Sequence, residues 1–164
     1  MSIVVNGTTI KKLIVNGVDK KEGFAQGVKV FSSERQIFPG EIFTKGGTNT
    51  AGTITDTEIT AVSSTSKTNG SISCRVDLTG FTELVFTVTS VTEEGNASVG
   101  VGYSDRQYPS TVGSYSNNNG NGVAVDAVGD VIVPILHSGN KYVAINSWGS
   151  TGRGAISVTK IIAR

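Results

Sequence analysis

Cysteine, histidine and charged residues are scarce in this chain of 164 residues. A single cysteine, Cys74, excludes an intrachain disulfide, and one histidine with one cysteine leaves no ligand set for a transition metal. Charged residues make up 16% of the chain and the net charge is +1. A nucleic-acid-binding protein needs a concentrated basic face, so the charge balance excludes that class. The sequence has no apolar run of the roughly 18 residues that predict a transmembrane helix.

The start of the chain, MSIVVNG, lacks the apolar segment of a secretory signal. We therefore expect the protein to be made and folded in the cytosol, or exported by a route that the sequence does not show. Helical periodicity is also missing, because every window of a dozen residues holds glycine or clustered β-branched residues. We expect an all-β protein with almost no helix.

The first segment, residues 4–31, contains a repeat of ten residues. Asn6-Gly7 returns as Asn16-Gly17 and, in degenerate form, as Gln26-Gly27. Asn-Gly favours a two-residue hairpin turn because both residues tolerate positive φ. The period predicts turns joined by strands of about eight residues, either as a short antiparallel meander or as a run of hairpins. So few strands are marginal alone, and we expect residues 1–31 to pack on the rest of the chain or on another copy.

Residues 32–70 change in character, with a Pro39-Gly40 turn followed by small, polar and β-branched residues. This stretch predicts a linker that enters a first strand near residues 54–62. From residue 71 the alternation becomes clear, and it places six residues of two successive strands in a core. These residues are Ile72, Cys74, Val76, Leu84, Phe86 and Val88.

Residues 71–164 therefore predict an antiparallel β-sandwich of jelly-roll type, with seven or eight short strands separated by turn signals. Gly100 and Gly102 inside one strand indicate a bulge or a close backbone approach. Pro134 lies inside another predicted strand and has no backbone N–H to donate to a neighbouring strand. We therefore expect that strand at an edge of its sheet or at a bulge.

The sequence contains few residues in patterns typical of catalytic sites. We therefore predict that the protein is not an enzyme and needs no cofactor. His137 would be required for a Ser-His-Asp triad, but no nucleophile elbow accompanies it. Adjacent carboxylates at Glu93 and Glu94 would point apart, unlike the pair of a glycoside hydrolase. The carboxylates of Asp105, Asp126 and Asp130 lack the spacing of a calcium loop.

Ligand binding is better represented, in two loops rich in polar and aromatic residues. Residues 104–122 exceed the length that a connection requires, and long ordered loops are often functional. Residues 146–154 bring the only tryptophan. A sugar presents apolar C–H faces ringed by hydroxyls, which an aromatic platform flanked by polar groups can contact. If both loops lie at one end of the sandwich, the candidate glycan-binding residues are Tyr103, Asp105, Arg106, Tyr108, Tyr115, Asn118, Trp148 and Arg153.

The opening VNGTTIKKLIVNGVDKK resembles the N-termini of small tail, baseplate and fibre proteins of phages and prophages of Gram-positive bacteria. The patterns VDLTGFTELVFTVTS and KYVAINSW…AISVTKI are similar to β-sandwich domains of phage appendages and carbohydrate-binding modules. This resemblance implies a virion structural protein, often a homotrimer, assembled in the host cytoplasm. It also implies that residues 1–31 attach to other virion proteins while the sandwich faces outward.

Three functions remain open from the sequence. The first is a tail or baseplate accessory protein, or a fibre, that binds a host surface glycan through the sandwich. The second is a head fibre or capsid decoration protein without strong ligand binding. The third is a glycan-processing enzyme, which would need facing carboxylates in a cleft.

Overall fold

The computed structural model describes residues 34–48, 51–64 and 66–164 in full, together with six short strand segments before them as backbone. The chain divides into two compact units. The N-terminal unit comprises residues 1–35 with Arg164, and the sandwich unit comprises residues 36–163.

The N-terminal unit contains three two-stranded antiparallel sheets. Its strands are β1 (Ile3–Val5), β2 (Thr8–Ile10), β3 (Leu13–Val15), β4 (Val18–Lys20), β5 (Phe24–Ala25) and β6 (Val28–Lys29). Val5 pairs with Thr8, across the first Asn-Gly dipeptide. The predicted run of hairpins is confirmed, but the predicted eight-residue strands are wrong. Each ten-residue period contains a whole hairpin and its connector, because β2 pairs with β1 and β3 pairs with β4. The dipeptides themselves lie outside the described residues.

The sandwich unit begins with five strands, β7 (Arg35–Phe38), β8 (Thr44–Gly47), β9 (Thr53–Ile54), β10 (Ile59–Val62) and β11 (Thr68–Asp77). It continues with β12 (Glu83–Glu93), β13 (Ala97–Ser104), the helix α1 (Gly113–Ser116) and β14 (Asn121–Ala124). It ends with β15 (Gly129–Pro134), β16 (Asn140–Gly149) and β17 (Gly154–Ala163). No helix of the described residues is long and apolar enough to cross a membrane.

Two sheets build the sandwich. One has six strands in the order β15-β12-β17-β10-β9, with β7 also paired to β17, and the other has five in the order β14-β13-β16-β11-β8. Apolar residues from both sheets form a single buried cluster between them. The predicted all-β, antiparallel sandwich is therefore confirmed.

The six residues predicted for the core are all buried, including Cys74 and Phe86. The alternation located them because successive side chains of a strand point to opposite faces of the sheet. Pro134 lies at the end of β15, an edge strand, as predicted.

Residues 32–70 do not form the linker that their composition suggested. They contribute β7 to β10 and the start of β11 to the two sheets, because their β-branched residues pair with established strands. Ile59, for example, pairs with Val158 of β17. The first strand expected near residues 54–62 is found as two strands, β9 and β10.

Candidate functional site

The outer face of the five-stranded sheet is built from small and polar residues. Ile72 and Cys74 of β11 point into the core, so Ser71 and Ser73 lie on the opposite face. In β16 the same alternation places Ala144 outward. All three outward residues are nevertheless buried. Another part of the chain must therefore cover the centre of this face.

That cover is the segment 105–119, which we call the covering loop. Its two ends meet, since the backbone N–H of Asp105 donates to the carbonyl of Asn118 at 2.8 Å. Lys141 of β16 holds both ends, with its ammonium 2.7 Å from Asp105 Oδ1 and 2.9 Å from the Asn119 carbonyl. A compact surface loop with adjoining ends is frequently functional.

The ion pair at the base of the loop joins an almost buried ammonium to an exposed carboxylate, with relative exposures of 4% for Lys141 and 53% for Asp105. Asn119 Nδ2 donates to the second carboxylate oxygen at 3.0 Å. Hydrogen bonds from Lys141 and Asn119 lower the pKa of Asp105, because both stabilise the ionised form.

The covering loop crosses the sheet along one row of paired residues: Gly46, Ser71, Asn146 and Gly100. The ring of Tyr108 lies on Gly46, where a methyl group would overlap ring carbons. Asn146 Nδ2 donates to the carbonyl of Ser110 at 3.4 Å. The side chain of Val112 lies against Gly100. The close approach predicted at Gly100 and Gly102 is confirmed: a Val112 methyl group and the Val123 carbonyl lie close to Gly100, and the backbone of residues 121–122 lies close to Gly102.

Tyr115 and Tyr103 cannot serve as ligand platforms, which corrects the sequence-based set. Both have 0% relative exposure. The Tyr115 hydroxyl donates to the carbonyl of Ala144 at 3.1 Å, and burial raises its pKa well above the usual value. The Tyr103 hydroxyl accepts the backbone N–H of Leu136 at 2.6 Å. The Tyr103 ring belongs to the core between the sheets, the Tyr115 ring lies against Gly102 and Gly122, and each hydroxyl bonds a backbone group.

Tyr108 and Trp148 remain half-exposed, and both belong to the outer face of the five-stranded sheet. One face of the Tyr108 ring covers Gly46. Trp148 lies two residues after Asn146 in β16 and on the same face of the sheet, directly beside the row that the loop covers. Two of the four aromatic residues in the predicted set, Tyr108 and Trp148, thus lie on one surface.

The neighbours of Trp148 are polar and neutral. It pairs with Asn69 of β11 on one side and with Ser98 of β13 on the other. Thr48 Oγ1 donates to Asn69 Oδ1 at 3.1 Å and accepts the Asn69 backbone N–H at 2.9 Å, which orients the carboxamide. Within the described residues, the indole N–H of Trp148 and the Asn69 Nδ2 group have no hydrogen-bond acceptor. We call Trp148, Asn69 and Ser98 the indole patch.

The other predicted site residues are divided between scaffold and surface. Asp105 and Asn118 hold the covering loop, the latter by donating from Nδ2 to the Ser114 carbonyl at 2.7 Å. Arg106 and Arg153 are exposed. The two loops do not leave the sheet at the same end, because Ser104 pairs with Tyr142 whereas Ala97 pairs with Gly149. The expectation of one shared end is wrong, although the covering loop folds back toward Trp148.

Three residues on the indole side were missed in the sequence: Asn69, Ser98 and Thr48. The alternation around Ile72 and Val99 signalled the outward position of the first two. Which residues lie beside Trp148 depends on strand register, and register follows from the whole sheet.

The described residues contain no group of three or more His, Cys, Asp or Glu side chains that would hold a metal ion. Glu93, considered for a catalytic pair, accepts the backbone N–H of Val99 at 2.8 Å through Oε1. Its carboxylate therefore has a structural contact at the β12–β13 turn.

No protein-family model matches the chain, and no curated protein matches it either. One solved structure is similar, described as TmCBM61 in complex with β-1,4-galactotriose. The sequences are 13% identical, the alignment covers 74% of this chain and 88% of that one, and the TM-score is 0.49. A likeness at this level carries no conclusion about what this chain binds.

Proposed function

We propose that the sandwich unit is a glycan-binding module that contacts its ligand through the indole patch. The observation that carries the proposal is the half-exposed Trp148 indole on a neutral polar face, flanked by Asn69 and Ser98. An indole face suits the apolar C–H side of a sugar ring. The indole N–H, which has no acceptor among the described residues, and the Asn69 amide suit the hydroxyls around that ring.

The affinity of one such patch is expected to be weak. A stacking contact contributes about 1 kcal/mol beyond area burial, and a few such contacts give a dissociation constant of about 1 mM. Useful adhesion would then require several copies held together. Glycan binding and assembly into a multivalent particle would therefore support each other.

The test is binding of Trp148→Ala to a panel of neutral and acidic polysaccharides and to Gram-positive cell walls. We expect wild-type protein to bind at least one of them, Trp148→Ala to lose most of that binding, and Trp148→Phe to retain part. Leu136→Ala is the matched control, since Leu136 is an exposed apolar residue away from the patch. Equal binding by wild type and Trp148→Ala would overturn the proposal.

We also propose that residues 1–31 attach the protein to a phage particle and that the protein is a homotrimer, located in the virion. Three successive hairpins built on one repeat support this role, because two-stranded units of this size are marginal alone and gain by pairing with other copies. Light scattering that gives a monomer mass at micromolar concentration would argue against the homotrimer.

One observation favours a second candidate, a capsid decoration or head-fibre protein without strong ligand binding. The covering loop buries Ser73 and Ala144 at the centre of the face and leaves only its flanks accessible. The same polysaccharide panel separates the candidates, because a decoration protein would bind none of them.

A further inference from the structure

The indole patch belongs to a longer row of residues that crosses the five-stranded sheet. Trp148 pairs with Asn69 of β11 on one side and with Ser98 of β13 on the other. Thr48, which directly follows the edge strand β8, bonds both the carboxamide and the backbone N–H of Asn69. None of these four residues is buried. Trp148 therefore has an accessible polar neighbour on each side along one line.

The covering loop runs parallel to this polar row. Residues 108–112 of the loop lie over the paired row that contains Asn146 and Gly100. Trp148 is two residues from Asn146 in β16, and Ser98 is two residues from Gly100 in β13. Two residues along a strand span about 7 Å and return to the same face of the sheet. The loop thus forms a wall along one side of the polar row, and we call the row and this wall together the ledge.

The residues that form the ledge carry no charge. Its floor supplies an indole, a carboxamide and two hydroxyls, and its wall, residues 108–112, has the sequence Tyr-Pro-Ser-Thr-Val. Sugar hydroxyls can donate to such groups and accept from them. An anionic group would meet no cation among these residues to offset the loss of its hydration. The chemistry of the ledge therefore favours neutral sugars.

The length of the ledge favours a chain of sugars over a single one. Its floor spans three strand spacings, or about 14 Å, which is about the length of three linked sugar rings. A ring stacked on the indole of Trp148 would have the Asn69 carboxamide beyond one edge and the Ser98 hydroxyl beyond the other. Each of these groups can therefore bond the next sugar along the chain.

We propose that the ledge binds an internal segment of a linear neutral glycan, which lies across the strands with one ring on Trp148. Asn69 and Ser98 each bond the hydroxyls of one flanking sugar, and the covering loop keeps the chain in line with the floor. This inference rests on the proposed glycan binding. It adds the ligand class, the direction of the chain and the number of sugars held.

The test is a nuclear magnetic resonance titration of the full chain with linear oligomers of glucose, of mannose and of galactose, from the monosaccharide to the hexasaccharide. Oligomers of any further neutral polysaccharide that the wild type binds are added to the series. We expect the affinity for at least one series to rise about tenfold from monosaccharide to trisaccharide, because each flanking sugar adds a hydrogen bond. The affinity should level off beyond the tetrasaccharide. Sodium chloride should not change it, because no charged pair is formed.

Variants on either side of Trp148 test the direction of the chain. Asn69→Ala and Ser98→Ala should each weaken trisaccharide binding about fivefold, as expected for the loss of one hydrogen bond. Both should leave the affinity for the monosaccharide nearly unchanged. Asn140→Ala is the matched control and should change neither affinity, because Asn140 is an exposed carboxamide at the other end of β16.

Three results would overturn the ledge: no binding of any neutral oligomer, equal affinity for monosaccharide and trisaccharide, or trisaccharide binding that neither variant weakens. Should one variant misfold, the other variant and the chain-length series of the wild type decide the question. Trp148→Ala separates this inference from the proposed function. Binding of acidic polysaccharides alone, lost in Trp148→Ala, would overturn the neutral chain and leave the glycan proposal standing. Equal binding of every polysaccharide by Trp148→Ala and wild type would overturn the glycan proposal itself.

Discussion

The ring of Tyr108 lies on the backbone of Gly46, so that a loop residue covers an edge strand of the sheet. The Tyr108 hydroxyl is 3.0 Å from Thr44 Oγ1, two residues along β8, and Gln107 Nε2 donates to it at 3.0 Å. The contact requires glycine at residue 46, because a methyl group there would occupy the space of the ring. One face of the ring is thereby buried, and the half-exposure of the side chain lies on the other.

Gly46→Ala should displace Tyr108 and weaken the attachment of the covering loop. We expect a loss of about 1–3 kcal/mol in the free energy of unfolding, because the added methyl group overpacks a close contact. Denaturant unfolding measures this loss. If Tyr108 contributes to glycan binding, the affinity for the polysaccharide identified with the wild type should also fall.

Gly113→Ala is the control for that prediction. Gly113 is exposed in α1, and a methyl group there would meet only Thr111 Oγ1, at 3.9 Å. This substitution should leave the free energy of unfolding unchanged or raise it slightly, since alanine has a higher helix propensity than glycine. Equal destabilisation by both substitutions would show that the Tyr108 contact is not the cause.

Tyr115→Phe should lower the free energy of unfolding by about 1 kcal/mol, because the buried carbonyl of Ala144 loses a hydrogen bond. Tyr142→Phe is the matched substitution at a half-exposed tyrosine, and it should change stability by less than about 0.5 kcal/mol. Chemical denaturation of the two variants checks the difference. A loss of glycan binding by Tyr115→Phe without any loss of stability would contradict the structural role assigned to this residue.

The ion pair between Asp105 and Lys141 should make stability depend on acid pH. Because the folded-state pKa of Asp105 is lowered, its contribution is present above the ordinary aspartate pKa of about 3.9 and is lost as the pH falls through the folded value. Asp105→Asn should therefore destabilise the protein most at neutral pH, with a difference from wild type that shrinks in acid. Unfolding curves recorded from neutral pH downward give this profile.

Asn119→Gly provides a second measurement of the same pair. Residue 119 has φ of 53°, which glycine adopts readily, and the substitution removes only the amide donor to Asp105. The Asp105 carboxyl signal should titrate below the ordinary value in wild type and move upward in Asn119→Gly. An unchanged titration midpoint would mean that Asn119 does not stabilise the carboxylate.

Deleting residues 1–31 should leave the sandwich folded, because residues 36–163 form a compact unit with their own core. If residues 1–31 attach the protein to a phage particle and hold a homotrimer, as proposed, the truncated protein should still unfold cooperatively but should form no trimer and no longer join the particle. Light scattering and a reconstitution assay with the native assembly measure these outcomes. Normal assembly of the truncated protein would refute the attachment role of this segment.

Much of the fold could be predicted because a strand with one buried face has apolar residues at every second position of the sequence. The alternation of Ile72, Cys74 and Val76 predicted both their strand and its inward face. Residues Ala97–Ser104 were also predicted as a strand with close contacts at its glycines. The N-terminal hairpins followed from dipeptide chemistry. Strand length in that segment did not follow, since it depends on which neighbours pair.

The candidate site was only half predictable. Trp148 and Tyr108 were identified from composition, and both prove to be half-exposed on one face. Tyr115 has the same composition signal but is buried, because the covering loop folds back over Gly122 and Gly102. No local pattern distinguishes a tyrosine that faces solvent from one that faces a sheet.

By itself the sequence determined the all-β class, the inward faces of the two strands around residues 72–76 and 84–88, and the hairpin positions, because these depend on local backbone chemistry and on alternation. The tertiary structure alone decided which strands adjoin, where the covering loop lies, and hence that Asn69 flanks Trp148 while Arg75 flanks Tyr142. The physical reason is that register and loop placement minimise the free energy of the whole sandwich. Residues distant in sequence become neighbours only when that sandwich forms.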